Sequence, residues 1–268
     1  MYKRQDLRSV QTLIAADKYE IRFGGQDVTH ATRPELRLLR RQMQVIFQDP
    51  FASLNPRLSV GAAVAEPLLI NRLATPREAR RRAEDLLARV GLPPEAAGRF
   101  PHEFSGGQRQ RICIARALAL NPRLIVADEA VSALDVSVKA QVVNLMLDLQ
   151  AEFGLAYLFI SHDMAVVERV SHRVAVMYLG EIVEIGPRAA IFGDPQHPYT
   201  KKLLAAVPVP DPARRGARHA LPDDEIRSPI RAPDYVPPER LYREVAPGHV
   251  VQDWGADWAA GAPEIAAA

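Results

Sequence analysis

Two adjacent carboxylates, Asp128 and Glu129, close the apolar run Leu124-Ile125-Val126-Ala127. In open α/β sheets, ligands sit beyond the carboxyl ends of strands. An aspartate in that place can hold Mg²⁺ against nucleotide phosphates, usually through water, and the next carboxylate can polarise an attacking water. A strand followed by a solvated acidic turn accounts for the same residues equally well. Upstream, Phe104-Ser105-Gly106-Gly107-Gln108 precedes a helical stretch over residues 109–120. A Ser-Gly-Gly turn lets the backbone approach an anion, and the N–H groups that open a helix favour negative charge. A serine cap on an ordinary helix is the plainer reading. Downstream, Tyr157-Leu158-Phe159-Ile160-Ser161-His162-Asp163 puts a histidine just past a second apolar run. A lone histidine is more often structural than catalytic, but His162 follows the same kind of strand end as Asp128 and Glu129.

The elements that must position these groups alternate. Apolar periodicity predicts strands over residues 20–23, 44–48, 124–127, 157–160 and 174–178, with a hairpin partner over 181–185. Helices are expected over 6–15, 33–41, 77–90, 109–120 and 136–153. On residues 77–90, Ala83, Leu86, Leu87 and Val90 share one face. Between residues 51 and 104 the pattern is one of helices broken by Pro56, Pro67, Pro76 and Pro93-Pro94, which reads as a helical insertion. Alternation of this kind predicts an α/β core with a mainly parallel sheet. Beyond Pro195 the chain turns rich in proline and arginine and reads as an appended module, with short apolar stretches such as His249-Val250-Val251.

Composition narrows the function classes. The 268 residues carry a formal net charge of +2, too small by itself to argue for nucleic acid, and no nucleic-acid partner is expected. Cys113 is the only cysteine, which rules out an internal disulfide, a cysteine zinc site or an iron–sulfur cluster within the chain, and a reducing compartment fits. No apolar run approaches the ~18 residues that a membrane-spanning helix needs. If membranes matter, a partner must provide the spanning helices.

Order and spacing decide between the readings. Gln48-Asp49-Pro50, then Ser105-Gly106-Gly107-Gln108, then Asp128-Glu129, then Ser132-Ala133-Leu134-Asp135, then His162 resembles the nucleotide-binding domain of ABC ATPases, over roughly residues 20–186. The resemblance implies an ABC-type P-loop NTPase fold, an α/β parallel sheet flanked by helices, with an inserted helical subdomain and a C-terminal extension. It divides the chain into residues 1–50 and 116–190 (the two parts of the ATPase core), 51–115 (the helical subdomain) and 191–268 (the extension). It implies ATP and Mg²⁺ as ligands, with Asp128 and Gln48 at the metal, Glu129 as general base and His162 at the γ-phosphate. Ser105, Gly106, Gly107 and Gln108 would contact the nucleotide of an opposite subunit, and Asp135 would lie at the subunit interface.

Phe47-Gln48-Asp49-Pro50-Phe51-Ala52-Ser53-Leu54-Asn55-Pro56, and His197-Pro198-Tyr199-Thr200 followed by Leu203-Leu204, are similar to segments of oligopeptide and dipeptide importer ATPases. That likeness implies a second ATPase subunit (identical or not), membrane permease subunits and, indirectly, a solute-binding protein as partners. It implies a peripheral location at the cytoplasmic face of a bacterial inner membrane.

The chain holds no G-x-x-x-x-G-K-[ST], whose backbone N–H groups and lysine hold phosphates in this family. In relatives that loop falls near the position of Lys3, which stands here without its glycines. A sequence shortened at its N-terminus is therefore expected, one that by itself binds and hydrolyses no ATP. A non-catalytic subunit that donates residues 105–108 to another subunit's ATP, or an ABC ATPase working outside transport, are the competing expectations.

Overall fold

A computed structural model of the chain describes residues 20–207 and 240–254. The helix expected over residues 6–15 lies outside them. The chain folds as two units, Met1–Ser161 and His162–Ala268.

In the first unit a short hairpin, β1 (Arg22–Phe23) and β2 (Gln26–Asp27), turns through Gly24 and Gly25, both at positive φ. Then come α1 (Arg33–Gln42) and β3 (Met43–Ile46). β4 (Leu124–Asp128) runs parallel between β3 and β5 (Ala156–Ile160), with Ile46 opposite Ala127 and Asp128 opposite Ile160. The register aligns the carboxyl ends of all three strands, so the residues that follow them emerge at one edge of the sheet. Ile125, Val126 and Ala127 are buried, as expected of a central parallel strand. α6 (Val136–Phe153) has the predicted bounds. It stops where Gly154 takes the left-handed conformation (φ 62°) and donates its N–H to the Gln150 carbonyl, an ending that glycine makes without strain.

The helical stretch between β3 and β4 holds α2 (Pro50–Ser53), α3 (Val60–Ile70), α4 (Pro76–Arg89) and α5 (Gly106–Leu118). α4 opens on a capping box: the Thr75 hydroxyl faces the Glu78 N–H while Glu78 Oε2 accepts from the Thr75 N–H at 2.9 Å. These hydrogen bonds hold the Glu78 carboxyl below the usual carboxylate range. Ala83, Leu87 and Val90 of the expected face are fully buried, with Leu86 only partly so. Pro67 does not break its helix as expected. It sits in the last turn of α3, where its missing N–H costs one helical hydrogen bond, and its own carbonyl accepts from Asn71 Nδ2 at 2.9 Å.

The second unit is antiparallel, unlike the first. β6 (Arg173–Tyr178) and β7 (Glu181–Pro187) form the expected hairpin through Leu179 and Gly180, both at positive φ. The sheet order is β6-β7-β9-β8. Its last two strands, β8 (Tyr242–Ala246) and β9 (His249–Gln252), come from the region read as an appendage, and β9 pairs with β7 at Glu184↔Val251 and Ile185↔Val250. α7 (Met164–Val170), α8 (Arg188–Gly193) and α9 (Pro198–Ala205) complete the described elements. Val167, Val174, Val176, Val183 and Ile191 form the unit's core, with Tyr199 and Leu203 packed against it. The described residues after Pro195, 196–207 and 240–254, thus pack into this unit.

Its centre is polar. Glu184 is fully buried and accepts from the N–H groups of Gln196 (2.8 Å) and His197 (3.0 Å), and its Oε1 lies 2.7 Å from His249 Nε2. His197 caps α9, its Nδ1 accepting from the Tyr199 N–H at 3.1 Å. Burial lowers the His197 pKa to about 4, against the pull of Glu184. The unfolded chain therefore binds a proton near pH 6.5 that the folded unit refuses, so stability falls as pH drops from about 6.5 towards 4. His197→Asn keeps an acceptor for the cap and removes the titration. The fall in melting temperature of this unit across that window is expected to shrink by at least a third; an unchanged slope would assign it to other groups.

Candidate functional site

β4 ends on a residue of the site, and β3 ends two residues before one. Past Ile46, Gln48 reaches the carboxylate that follows β4: its Nε2 donates to Glu129 Oε2 at 2.5 Å across a sequence separation of 81. Gln48 is exposed and Glu129 buried, 6% accessible. Glu129 takes a left-handed backbone, φ 47°, which is uncommon for a residue with a side chain. Three hydrogen bonds hold it there. Its N–H donates to the Ile160 carbonyl of β5 (2.9 Å), and its carbonyl accepts from the Ser132 N–H (3.0 Å) and hydroxyl (2.9 Å). Asp128, at the last residue of β4, is half-buried beside it in sequence. A buried carboxylate in a set geometry and a more accessible one next to it can divide two tasks, proton acceptance and cation binding. The oxygen donors of Asp128 and Gln48 suit Mg²⁺, a hard ion that keeps several waters.

Ser105 caps α5, and Gly106, Gly107 and Gln108 lie in its first turn rather than before it, since the helix begins three residues earlier than expected. Gln108 Oε1 accepts from the Ser105 N–H at 3.0 Å, completing a capping box. The serine-cap reading thus describes this helix start. Ser105, Gly106 and Gln108 are exposed; Gly107 is buried. A Cβ on Gly107 would come within 2.3 Å of Val138 Cγ1 on α6, and one on Gly106 would meet Leu134 at 3.9 Å. The two helices therefore touch where only glycine fits. Gly107→Ala is expected to cost about 1–3 kcal/mol in denaturant unfolding of this unit, the usual penalty of overpacking. A change under ~0.5 kcal/mol would mean that Val138 gives way freely. Asp135 stands at the N-cap position of α6, exposed, its carbonyl accepting from the Lys139 N–H at 2.7 Å.

His162 opens the second unit, exposed, two residues past β5 and just before Asp163, which caps α7 by accepting from the Val166 N–H.

Sequence reasoning missed a set of contacts on α2, the turn after Gln48. Arg109 lies over the Phe51 ring at 3.8 Å, Cys113 Sγ sits 3.9 Å from the Pro50 carbonyl, and Arg116 Nη1 donates to the Ser53 carbonyl. Burial pushes the Cys113 thiol up to about 11, which keeps it protonated at neutral pH. The four-and-three spacing of Arg109, Cys113 and Arg116 was visible as one helix face, but its partner was not.

Residues 7–132 match the family described as ABC transporter, and residues 183–233 match the oligopeptide/dipeptide transporter, C-terminal region. Residues 7–132 are thus an ABC transporter ATP-binding domain. Among its relatives, the glutathione import ATP-binding protein GsiA of Pectobacterium atrosepticum is 62% identical over 225 residues, 84% of this chain and 36% of that protein. GsiA of Salmonella typhimurium is 59% identical over 244 residues, 91% and 39% of the two. The chain spans little more than a third of the length of these relatives. Among solved structures, the ATP-binding cassette MJ0796 in a dimeric post-hydrolysis state bound to ADP and Pi superimposes with a TM-score of 0.59 at 28% identity, covering 69% of this chain and 80% of that one. CbiO1 of Clostridium perfringens, part of the ABC transporter complex cbiONQ, shares the fold with a TM-score of 0.64 at 24% identity, covering 72% and 75%.

Proposed function

We propose that this chain is an ATP-hydrolysing, energy-coupling part of an importer for short peptides, glutathione among them. The observation that carries the reading is the buried Glu129 carboxylate at the end of a central parallel strand, held against Gln48 from the neighbouring strand. Its relatives' names point to import of glutathione, and the match over residues 183–233 points to oligopeptide or dipeptide transport.

In this reading Glu129 accepts the proton of the water that attacks the γ-phosphate. Asp128 and the Gln48 side-chain oxygen would hold Mg²⁺, which when bound neutralises phosphate charge. Ser105, Gly106, Gly107 and Gln108, at a helix start, would face the nucleotide of a second ATPase subunit. Asp135 lies at that subunit interface, and His162 meets the γ-phosphate. The core of residues 1–50 and 116–190, the helical part 51–115 and the extension 191–268 divide these tasks. Among the described residues no helix is long and apolar enough to cross a membrane. Permease subunits would provide the pore, with this chain at the cytoplasmic face of a bacterial inner membrane and a solute-binding protein delivering the peptide.

The test is ATP-driven uptake of labelled glutathione into vesicles holding the permease and its ATPase, with and without Asp128→Asn in this chain. Uptake and hydrolysis are expected to fall together. Full uptake with the substitution would overturn the assignment, and hydrolysis without any peptide uptake would move the chain outside peptide import.

A further inference from the structure

Several exposed arginines of the first unit are answered by a carboxylate: Arg22 by Glu20, Arg80 by Glu84, Arg89 by Glu152 and Arg99 by Glu103. In one region they are not. Arg33 and Arg37 stand one turn apart on α1, and Arg72 and Arg77 stand on the turn from α3 into α4. All four are exposed, and none makes an ion pair among the described residues. The two stretches meet at Arg41, one further turn along α1. It donates from Nε to Asn71 Oδ1 at 3.0 Å and from Nη2 to the Asn71 carbonyl at 3.4 Å. Nearby Glu35 and Glu78 are engaged with Thr32 and Thr75 in their capping boxes. That leaves exposed Glu66, one turn before Ile70, to oppose four unanswered charges.

Aliphatic side chains stand among these arginines. Leu38, 56% exposed, lies beside Arg37 and one turn from Arg41, while Ile70 (63%) and Leu73 (42%) flank Arg72. The backbone at the tip is strained. α3 ends in a Schellman turn, with the Arg72 N–H on the Leu69 carbonyl (3.0 Å) and the Leu73 N–H on the Leu68 carbonyl (2.9 Å). Arg72 holds φ at 55°, the left-handed place that glycine fills without penalty. An arginine there keeps the strain and sets a guanidinium at the very end of the helix pair.

We infer that this face, the α3–α4 turn with the exposed side of α1, docks reversibly on an anionic lipid surface. Its guanidiniums meet headgroup phosphates, and Leu38, Ile70 and Leu73 enter the acyl boundary. Charge selects the partner class: guanidinium forks match phosphate oxygens, and the face offers no matching row of carboxylates to hold them back. The aliphatic side chains favour lipid over nucleic acid, because no aromatic ring stands among them for a base to stack on. Four charges and three side chains give an attachment far weaker than a spanning helix, hence reversible. The inference needs neither the nucleotide site nor peptide import.

Flotation of the purified chain with vesicles of equal parts phosphatidylglycerol and phosphatidylcholine, against phosphatidylcholine alone, tests it. Binding is expected to the anionic vesicles only, and to weaken steeply with added salt, since exposed charges are screened. Arg37→Gln and Arg72→Gly should each weaken it about fivefold, and together about 25-fold, the effect of removing one and two basic residues from an anionic surface. Arg72→Gly also relieves the left-handed backbone, so weaker binding with an undiminished melting temperature separates a lost contact from a lost fold. Ile70→Ser should weaken binding while leaving its salt dependence as it was. Arg22→Gln, which removes a charge already paired with Glu20, should bind like the parent. Equal binding to both kinds of vesicle, or a double variant that floats like the parent, would overturn the inference. So would a chain that ignores vesicles while the double variant loses its hold on a permease or a nucleic acid, because the face would then belong to that partner. Neither ATP nor peptide enters the flotation, so its failure and a failed uptake assay are separate results.

Discussion

Glu129→Gln, in a chain joined to a phosphate-binding loop, is expected to keep ATP binding and lose hydrolysis by about 10²–10⁴-fold, the usual effect of removing a general base. The substitution is informative because so little else should change. Glu129 is buried, its left-handed backbone is fixed through the Ile160 carbonyl and the Ser132 N–H and hydroxyl, and none of those bonds involves its carboxylate. Glutamine has the same shape and can still accept from Gln48 Nε2. What it cannot do is take a proton from water. Steady-state phosphate release together with equilibrium ATP binding separates the two effects. Turnover within about threefold of the parent would sink the assignment of Glu129, and loss of binding as well would make it a nucleotide ligand instead.

The second large effect is in the other unit. Glu184→Ala is expected to destabilise it by several kcal/mol, since each buried donor left without an acceptor costs about 1–3 kcal/mol. Three groups lose their acceptor at once: the N–H of Gln196, the N–H of His197 and His249 Nε2. Alanine offers them nothing, and the site is closed to water, with Glu184, His197 and His249 all at or below 3% accessibility. Gly186 lies against the His249 ring, where a Cβ would come within 2.9 Å, so the ring has little room to turn away. Glu184→Gln retains one acceptor oxygen and should cost less than the alanine change. Denaturant unfolding of the second unit measures both. A Glu184→Ala penalty under ~1 kcal/mol would show that the β8–β9 hairpin is held by backbone pairing and by the outer contacts of Glu181 with Arg240 and Gln252.

That cluster also changes the expected result of shortening the chain. Read as an appendage, the region from His197 on could be removed near Ile191 without harm to ATP chemistry. Ile191 is 1% accessible in the core of the second unit, and Tyr199 and Leu203 pack on that core. A cut there removes part of a folded body and opens the edge of β7, with the aggregation risk of an unpaired strand.

The divide between what the sequence determines and what tertiary structure decides follows the distance over which each feature is built. Strands β3 to β5, the helix Val136–Phe153 with its glycine stop, and the capping boxes at Thr75 and Ser105 depend on residues within a few positions of one another. Apolar period, caps and turn residues record such features directly. The ordered row Gln48, Ser105–Gln108 as residues 105–108, Asp128-Glu129, Asp135 and His162 was legible for the same reason, as short local strings. Local reading went astray at Pro67, where packing carries α3 through a residue that usually ends helices, and at Gly106, where capping by Ser105 starts α5 early. The contact of Gln48 with Glu129 spans 81 residues, the grip of Arg116 on Ser53 spans 63, and the pairing of Glu184 with His249 spans 65. Nothing in composition or period marks a glutamate as the one that will be buried, because its burial becomes tolerable only when distant donors converge on it. The sequence names the groups that could do chemistry; closure of the sheets and helices decides which of them meet.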